Sequence, residues 1–269
     1  MFHVSPSRFG LPGTSRHNRG MKVKICGLTN LEDAQTAVAA GADYLGFIFY
    51  PPSKRSVDIT KARSVVQTLR AAPHCPVLVG VFVNENGSRM AQILDEVGLD
   101  LAQLSGEEVP FLVGDERSPI YGRCYKALRP TSLAEAEADA EWYAVSVDGD
   151  RYSVISDQLS VTSEQYSVGS AQSPIPSLQS PSLLIDTYHP TLRGGTGETG
   201  NWAMSARLAE SIPGLMLAGG LNADNVAEAV RLVRPFAVDV ASGVEARPGK
   251  KDPNLVRAFI HNAKSAIHN

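Results

Sequence analysis

From Lys22 onward the chain repeats one pattern eight times: a short apolar or β-branched run, then a longer amphipathic stretch. The runs fall at 22–27, 44–49, 76–83, 99–104, 120–128, 183–187, 215–220 and 237–243. Helical patterns lie between them at 31–40, 61–71, 88–97, 133–140, 201–209 and 223–233, with a closing helix from about 254. Short apolar runs that alternate with longer amphipathic stretches describe parallel strands joined by crossover helices. Helix-start chemistry agrees. Thr29 or Asn30 precedes the first helical stretch, with Glu32 and Asp33 in its opening turn, and Asn222 precedes Asp224 at 223–233. Eight such units in about 250 residues predict an α/β chain folded as a single (β/α)₈ TIM barrel, with its chemistry at the C-terminal ends of the strands.

One interval breaks the spacing. Between the fifth and sixth runs the distance roughly doubles, because residues 152–158, 159–165 and 166–172 read YSVISDQ, LSVTSEQ and YSVGSAQ, followed by a Pro/Ser-rich stretch to Pro181. The apolar positions of this seven-residue unit, its first and third, do not form a helical seam, which excludes a coiled coil. Such a polar, serine-rich segment buries too little surface to offset its ordering entropy. The expectation is a disordered insertion at about 150–181, between helix five and strand six, interrupting a barrel domain at 21–269. A segment placed there emerges on the face opposite the catalytic mouth and should be dispensable. Residues 1–20 lack acidic side chains and any apolar period, and read as a flexible tail. A transit peptide and an upstream start ahead of Met21 are both open for them.

Composition excludes several function classes. The 269 residues are 43% hydrophobic and 20% charged, enough for one sizeable core, and the formal net charge of −3 gives no field for a nucleic-acid backbone. Cys26, Cys75 and Cys124 are too scattered for a disulfide framework or a C-x-x-C pair. The six histidines show no metal-ligand spacing, so no metal is expected. No apolar stretch reaches the roughly 18 residues of a membrane span. These features predict a cytoplasmic protein, monomer or homodimer, with a small-molecule ligand and no nucleic-acid or membrane partner.

Strand ends supply the candidate chemistry. Cys26 ends the first run; a thiol accepts a proton once a neighbouring cation or dipole favours the thiolate, although a strand cysteine is more often a small buried hydrophobe. Asp186 ends the sixth, where a partly desolvated carboxyl would hold its proton toward neutral pH; a helix cap or a buried ion pair is the plainer alternative. Arg193-Gly194-Gly195-Thr196-Gly197 follows strand six, Gly219-Gly220 ends strand seven, and Ser242-Gly243 ends strand eight. Three glycine-rich strand ends together favour a bound phosphate. GTGETG at 195–200 matches G-x-G-x-x-G, but it follows its strand only after an intervening loop and lies outside a first βαβ unit, so a dinucleotide site is rejected. Arg55, in the loop after strand two, offers a planar fork suited to a carboxylate.

Taken together, KICGLTNLEDA at 24–34, GFIFYPPSKRSV at 46–57, VGVFVNE at 79–85, GGTGETGNW at 194–202 and VDVASGVEARPGKKD at 238–252 resemble the phosphoribosylanthranilate isomerase family. The resemblance runs in order through nearly all of 22–265, apart from the repeats. It implies an Amadori rearrangement of N-(5-phosphoribosyl)anthranilate to 1-(2-carboxyphenylamino)-1-deoxyribulose 5-phosphate, a step of tryptophan biosynthesis, without metal or cofactor. It also implies Asp186 as general acid, Cys26 as base, Arg55 on the anthranilate carboxylate, and Gly194, Gly195, Gly219, Gly220, Ser242 and Gly243 in the substrate-binding loops.

Two positions depart from the family pattern. Ser105 stands where Gln-Leu-His-Gly would place histidine, and Asn201 where Phe-Asp-Trp would place aspartate. Two rivals stay open: the related two-aspartate sugar isomerase of histidine biosynthesis, against which Cys26 argues, and a non-catalytic barrel that binds a phosphosugar.

Overall fold

The computed structural model describes residues 20–144, 180–186 and 202–267. Eight parallel strands, β1 (Lys22–Ile25), β2 (Tyr44–Ile48), β3 (Val77–Phe82), β4 (Leu101–Leu104), β5 (Cys124–Leu128), β6 (Leu183–Asp186), β7 (Leu215–Ala218) and β8 (Ala237–Val240), pair in chain order and close into a barrel. Closure is made by β1 against β8, with Lys24 opposite Asp239 and Ile25 opposite Val240. The helices are α1 (Leu31–Ala39), α2 (Ile59–Arg70), α3 (Gly87–Val97), α4 (Phe111–Gly114), α5 (Leu133–Tyr143), α6 (Trp202–Ser211), α7 (Val226–Val233) and α8 (Pro253–Ser265).

Strand alternation sorts the core into two populations. Val23, Ile25, Leu45, Phe47, Leu78 and Val238 join Ala34, Val65, Leu94, Val230 and Phe259 of the helices in one buried layer. Residues of the other parity, Tyr44, Val79, Leu101, Tyr125, Leu184, Met216 and Ala237, pack with one another and fill the barrel. Each burial of a large aliphatic side chain is worth about 1.5–3 kcal/mol, so a one-residue slip of any strand would exchange the two sets and lose both.

Helix starts follow side-chain chemistry. The Asn30 side chain accepts from Asp33 N, Asp58 from Lys61 N, Ser132 from Glu135 N, and Asp252 from Asn254 N with Pro253 at the first helical position. Asn222 accepts from the backbone of Asp224 and Asn225 at 2.9 and 3.1 Å, capping a turn that leads into α7 three residues later than expected.

Four sequence expectations need correction. β5 begins at Cys124 rather than 120, because Gly122 (φ 72°) turns the chain ahead of the strand. β4 likewise starts at Leu101, two residues late. The link between β4 and β5 carries a single helical turn, α4, which the apolar pattern did not announce. Beyond β8, a 3₁₀ turn at Ser242–Val244 leads into an unanticipated hairpin of β9 (Glu245–Arg247) and β10 (Lys250–Lys251). The tail expected at 1–20, except Gly20, and the insertion expected at 150–181, except Ser180 and Pro181, lie outside the described residues. Among the described residues, no helix is long and apolar enough to cross a membrane.

Candidate active site

The C-terminal ends of the strands carry a polar cluster on an otherwise apolar barrel. Cys26 stands one residue past β1, its N–H extending the ladder to Val240 O at 2.8 Å. Its side chain shares strand parity with Lys24, so both face inward. The thiol is buried, and burial pushes its pKa up; the Lys24 and Lys251 ammonium groups pull it down, and the Asp239 carboxylate opposes them.

Lys24 is fully buried on the barrel axis. Its Nζ donates to Gln103 Oε1 at 2.7 Å and to Asp239 Oδ1 at 3.0 Å. Gln103 Oε1 also accepts from the Tyr125 hydroxyl at 2.9 Å, and Gln103 Nε2 donates to Ser105 Oγ at 3.1 Å. Burial works against the ammonium, but the Asp239 carboxylate and its neighbours outweigh this and keep Lys24 protonated. Ser105, at the position where histidine was expected, is thus tied into the axial network.

Asp186 is the last residue of β6, as expected from its place in LLID. Burial raises its pKa, Arg129 just past β5 pulls it down, and Asp239 pushes it further up. The contact is Arg129 Nε to Asp186 Oδ2 at 3.2 Å, while Arg129 Nη1 donates to Ser105 O at 3.2 Å. Both Asp186 and Cys26 therefore feel the same Asp239 carboxylate at the mouth of one barrel.

Arg55 lies in the loop between β2 and α2. Its stem crosses the turn after β1, where a Cβ on Gly27 would fall 2.8 Å from Arg55 Cδ. The guanidinium already holds a carboxylate from the protein itself: Nε and Nη2 donate to Glu245 Oε1 and Oε2, both at 2.8 Å. Lys251 Nζ reaches the same Glu245 at 3.0 Å and Ala241 O at 2.8 Å. Despite its burial, Glu245 is held below the usual carboxylate range by these two cations.

Two glycine-rich strand ends are described. Gly219 and Gly220 follow β7 with φ of 93° and 64°, left-handed values that side chains resist. Gly243, in the turn after β8, lies against the preceding loop so closely that a Cβ would meet Leu221 O at 2.0 Å. Ser242 opens that turn. Gly194 and Gly195 lie outside the described residues, as does Asn201.

Lys24, Gln103, Asp239, Arg129 and Glu245 were not singled out from the sequence. A signal existed for two of them: Lys24 and Asp239 are charges in apolar strands at the inward parity, the same reasoning that marked Asp186. Their pairing, across 215 residues, becomes visible only when the barrel closes.

The chain matches the family model described as N-(5′-phosphoribosyl)anthranilate (PRA) isomerase over residues 23–141 and 149–262. It is 41% identical over 245 residues to N-(5′-phosphoribosyl)anthranilate isomerase of Pelobacter propionicus, covering 91% of this chain and 96% of the relative. Among solved structures it resembles phosphoribosyl anthranilate isomerase from Thermotoga maritima, at a TM-score of 0.70 and 36% identity, covering 91% of this chain and 99% of the other. It also resembles a phosphoribosyl anthranilate isomerase in complex with reduced 1-(o-carboxyphenylamino)-1-deoxyribulose 5-phosphate, at a TM-score of 0.65 and 32% identity, covering 91% and 99%.

Proposed function

Because the chain belongs to the N-(5′-phosphoribosyl)anthranilate isomerase family, we propose that it converts N-(5-phosphoribosyl)anthranilate to 1-(2-carboxyphenylamino)-1-deoxyribulose 5-phosphate in tryptophan biosynthesis, with Asp186 as acid and Cys26 as base. The observation that carries the residue assignment is the placement of one thiol and one carboxyl, both desolvated and both beside Asp239, at the ends of β1 and β6 of the same barrel.

The chemistry needs a proton given and a proton taken. Asp186, whose raised pKa favours the protonated form, delivers its proton to the ribose ring oxygen; the C1′–O bond breaks, and the anthranilate nitrogen lone pair closes an iminium. Cys26 as thiolate removes the C2′ proton, and the C–H electron pair moves to give the enolamine, which tautomerises to the ketone. The acid has then lost one proton and the base gained one, so exchange with solvent restores both.

The polar ends of the substrate match the remaining groups. The Gly219-Gly220 and Ser242-Gly243 turns, with Gly194 and Gly195, would receive the phosphate. Arg55 would receive the anthranilate carboxylate. Glu245 fixes its Nε and Nη2 edge and, among the described residues, Nη1 takes no acceptor, so a carboxylate can dock on that edge of a guanidinium already oriented. The relative solved with reduced 1-(o-carboxyphenylamino)-1-deoxyribulose 5-phosphate holds a molecule of this class.

Turnover is read as loss of anthranilate fluorescence from phosphoribosylanthranilate. Asp186→Asn and Cys26→Ala are each expected to lower kcat by about 10²–10⁴ with the barrel intact. Parental turnover in either variant would remove that residue from its role. Binding of substrate without turnover by the parent would instead support a phosphosugar-binding barrel.

A further inference from the structure

The base assigned above sits in an environment hostile to its working form. A thiolate at Cys26 would be buried, and the Asp239 carboxylate on β8 is unfavourable to it. The charged and titratable groups around it are few and identifiable. Lys24 lies on its own strand, Asp239 on β8, Lys251 on β10, Arg55 on the β2–α2 loop and Tyr125 on β5. Lys251 is held by Glu245 and Ala241 O, and Arg55 turns its Nε and Nη2 edge to Glu245. Lys24 has three N–H bonds, and Gln103 and Asp239 take two of them.

Independent geometry brings the lysine terminus close to the sulfur. A methyl group built on Gly46 of the adjacent strand would fall 2.7 Å from Cys26 Sγ and 3.2 Å from Lys24 Cε. The sulfur and the lysine terminus therefore share the space that a glycine leaves open on β2. The Lys24 ammonium pulls the Cys26 thiol pKa down through its charge.

We infer that Lys24 is a positioning residue for catalysis: its ammonium, locked on the barrel axis by Gln103 and Asp239, turns its third N–H to Cys26 and stabilises the thiolate against the cost of its burial. Gly46 keeps the two in contact. The tight Asp239 pairing keeps the lysine charged, so it acts as a fixed cation and takes no proton itself. Lys24 and Asp239 then exert opposite effects on the same sulfur, one by contact and one through its charge.

The inference rests on Cys26 being the base, and the experiment separates the two statements. The Cys26 thiol is titrated by far-ultraviolet thiolate absorbance as a difference against Cys26→Ser, in the parent, in Lys24→Met and in Asp239→Asn, with circular dichroism as the check of fold. In Lys24→Met the titration is expected to move up by about one pH unit or more, with kcat at neutral pH down about tenfold or more and KM little changed. In Asp239→Asn it is expected to move down, a reversal that loosened packing would not produce. An unmoved or lowered titration in folded Lys24→Met overturns the inference. If Lys24→Met does not fold, Asp239→Asn decides, and an unmoved or raised titration there overturns it. The titration needs no turnover, so retained activity in Cys26→Ala would remove the base assignment while leaving the Lys24–Cys26 coupling measured on its own.

Discussion

Keeping a proton on Asp186 toward neutral pH carries a cost that falls on folding. Burial lifts its native pKa above the unfolded value, so between those two values the native state binds more protons than the unfolded chain. Stability from this group is then complete below the unfolded value and declines as pH rises through the native one. The half-exposed Arg129 recovers little of the loss, because water screens the pair. Asp186→Asn, which removes the charge and keeps the shape, is therefore expected to raise Tm by about 2 °C at neutral pH while lowering kcat as given above. Calorimetry across pH checks the sign: the gap between variant and parent should close as acid protonates the parental carboxyl. A gap that widens in acid would contradict the burial assigned to this side chain.

The hairpin β9–β10 links α1 to the mouth through a series of charges. Asp33, buried in the first turn of α1, accepts from Lys250 Nζ at 2.6 Å, Lys251 N at 2.8 Å and Asn30 Nδ2 at 2.9 Å. Thr29 Oγ1 adds a bond to Gly249 O at 2.7 Å. Lys251 then holds Glu245, and Glu245 orients Arg55. The same Asp33 that the sequence pattern places in the opening turn of α1 thus supports the arginine assigned to the substrate. Its pKa is depressed, since the hydrogen bonds from Lys250, Lys251 and Asn30 outweigh the opposing effect of burial. Its contribution is complete above the ordinary carboxylate value and is lost as pH falls through the native one. Asp33→Asn is expected to lower stability by about 2 kcal/mol, or Tm by about 5 °C, with the difference shrinking in acid. Thermal melts at neutral and acid pH test this. The helix start was legible in Asn30, Glu32 and Asp33. The hairpin was not, because strands of three and two residues rich in charge have no alternation to read.

At the scale of the whole molecule, the ring of eight strands was legible because short apolar runs and amphipathic helical stretches alternate along the chain. Boundaries failed where an apolar composition concealed a turn, as at Ile120–Arg123 ahead of β5, where Gly122 bends the chain. The strand-end positions of Cys26 and Asp186 were legible because each closes an apolar run of the barrel. Lys24 with Asp239, and Arg129 with Asp186, were not, since a contact between distant strands has no local trace. The same topology yields a prediction about the repeats: α5 leaves and β6 enters on the face opposite the mouth, so excising 152–180 is expected to leave kcat and KM within about twofold of the parent. Steady-state assay of the shortened chain tests it, and a collapse in rate with the barrel preserved would show that the segment reaches the site. Across the mouth, the approach of Gly243 to Leu221 O leaves no room for even one added carbon between the two loops. Neither loop can be remodelled alone. A lineage or an engineer wishing to admit a different anion there must alter both in the same step, which makes this corner of the pocket slow to diverge even when its surroundings drift.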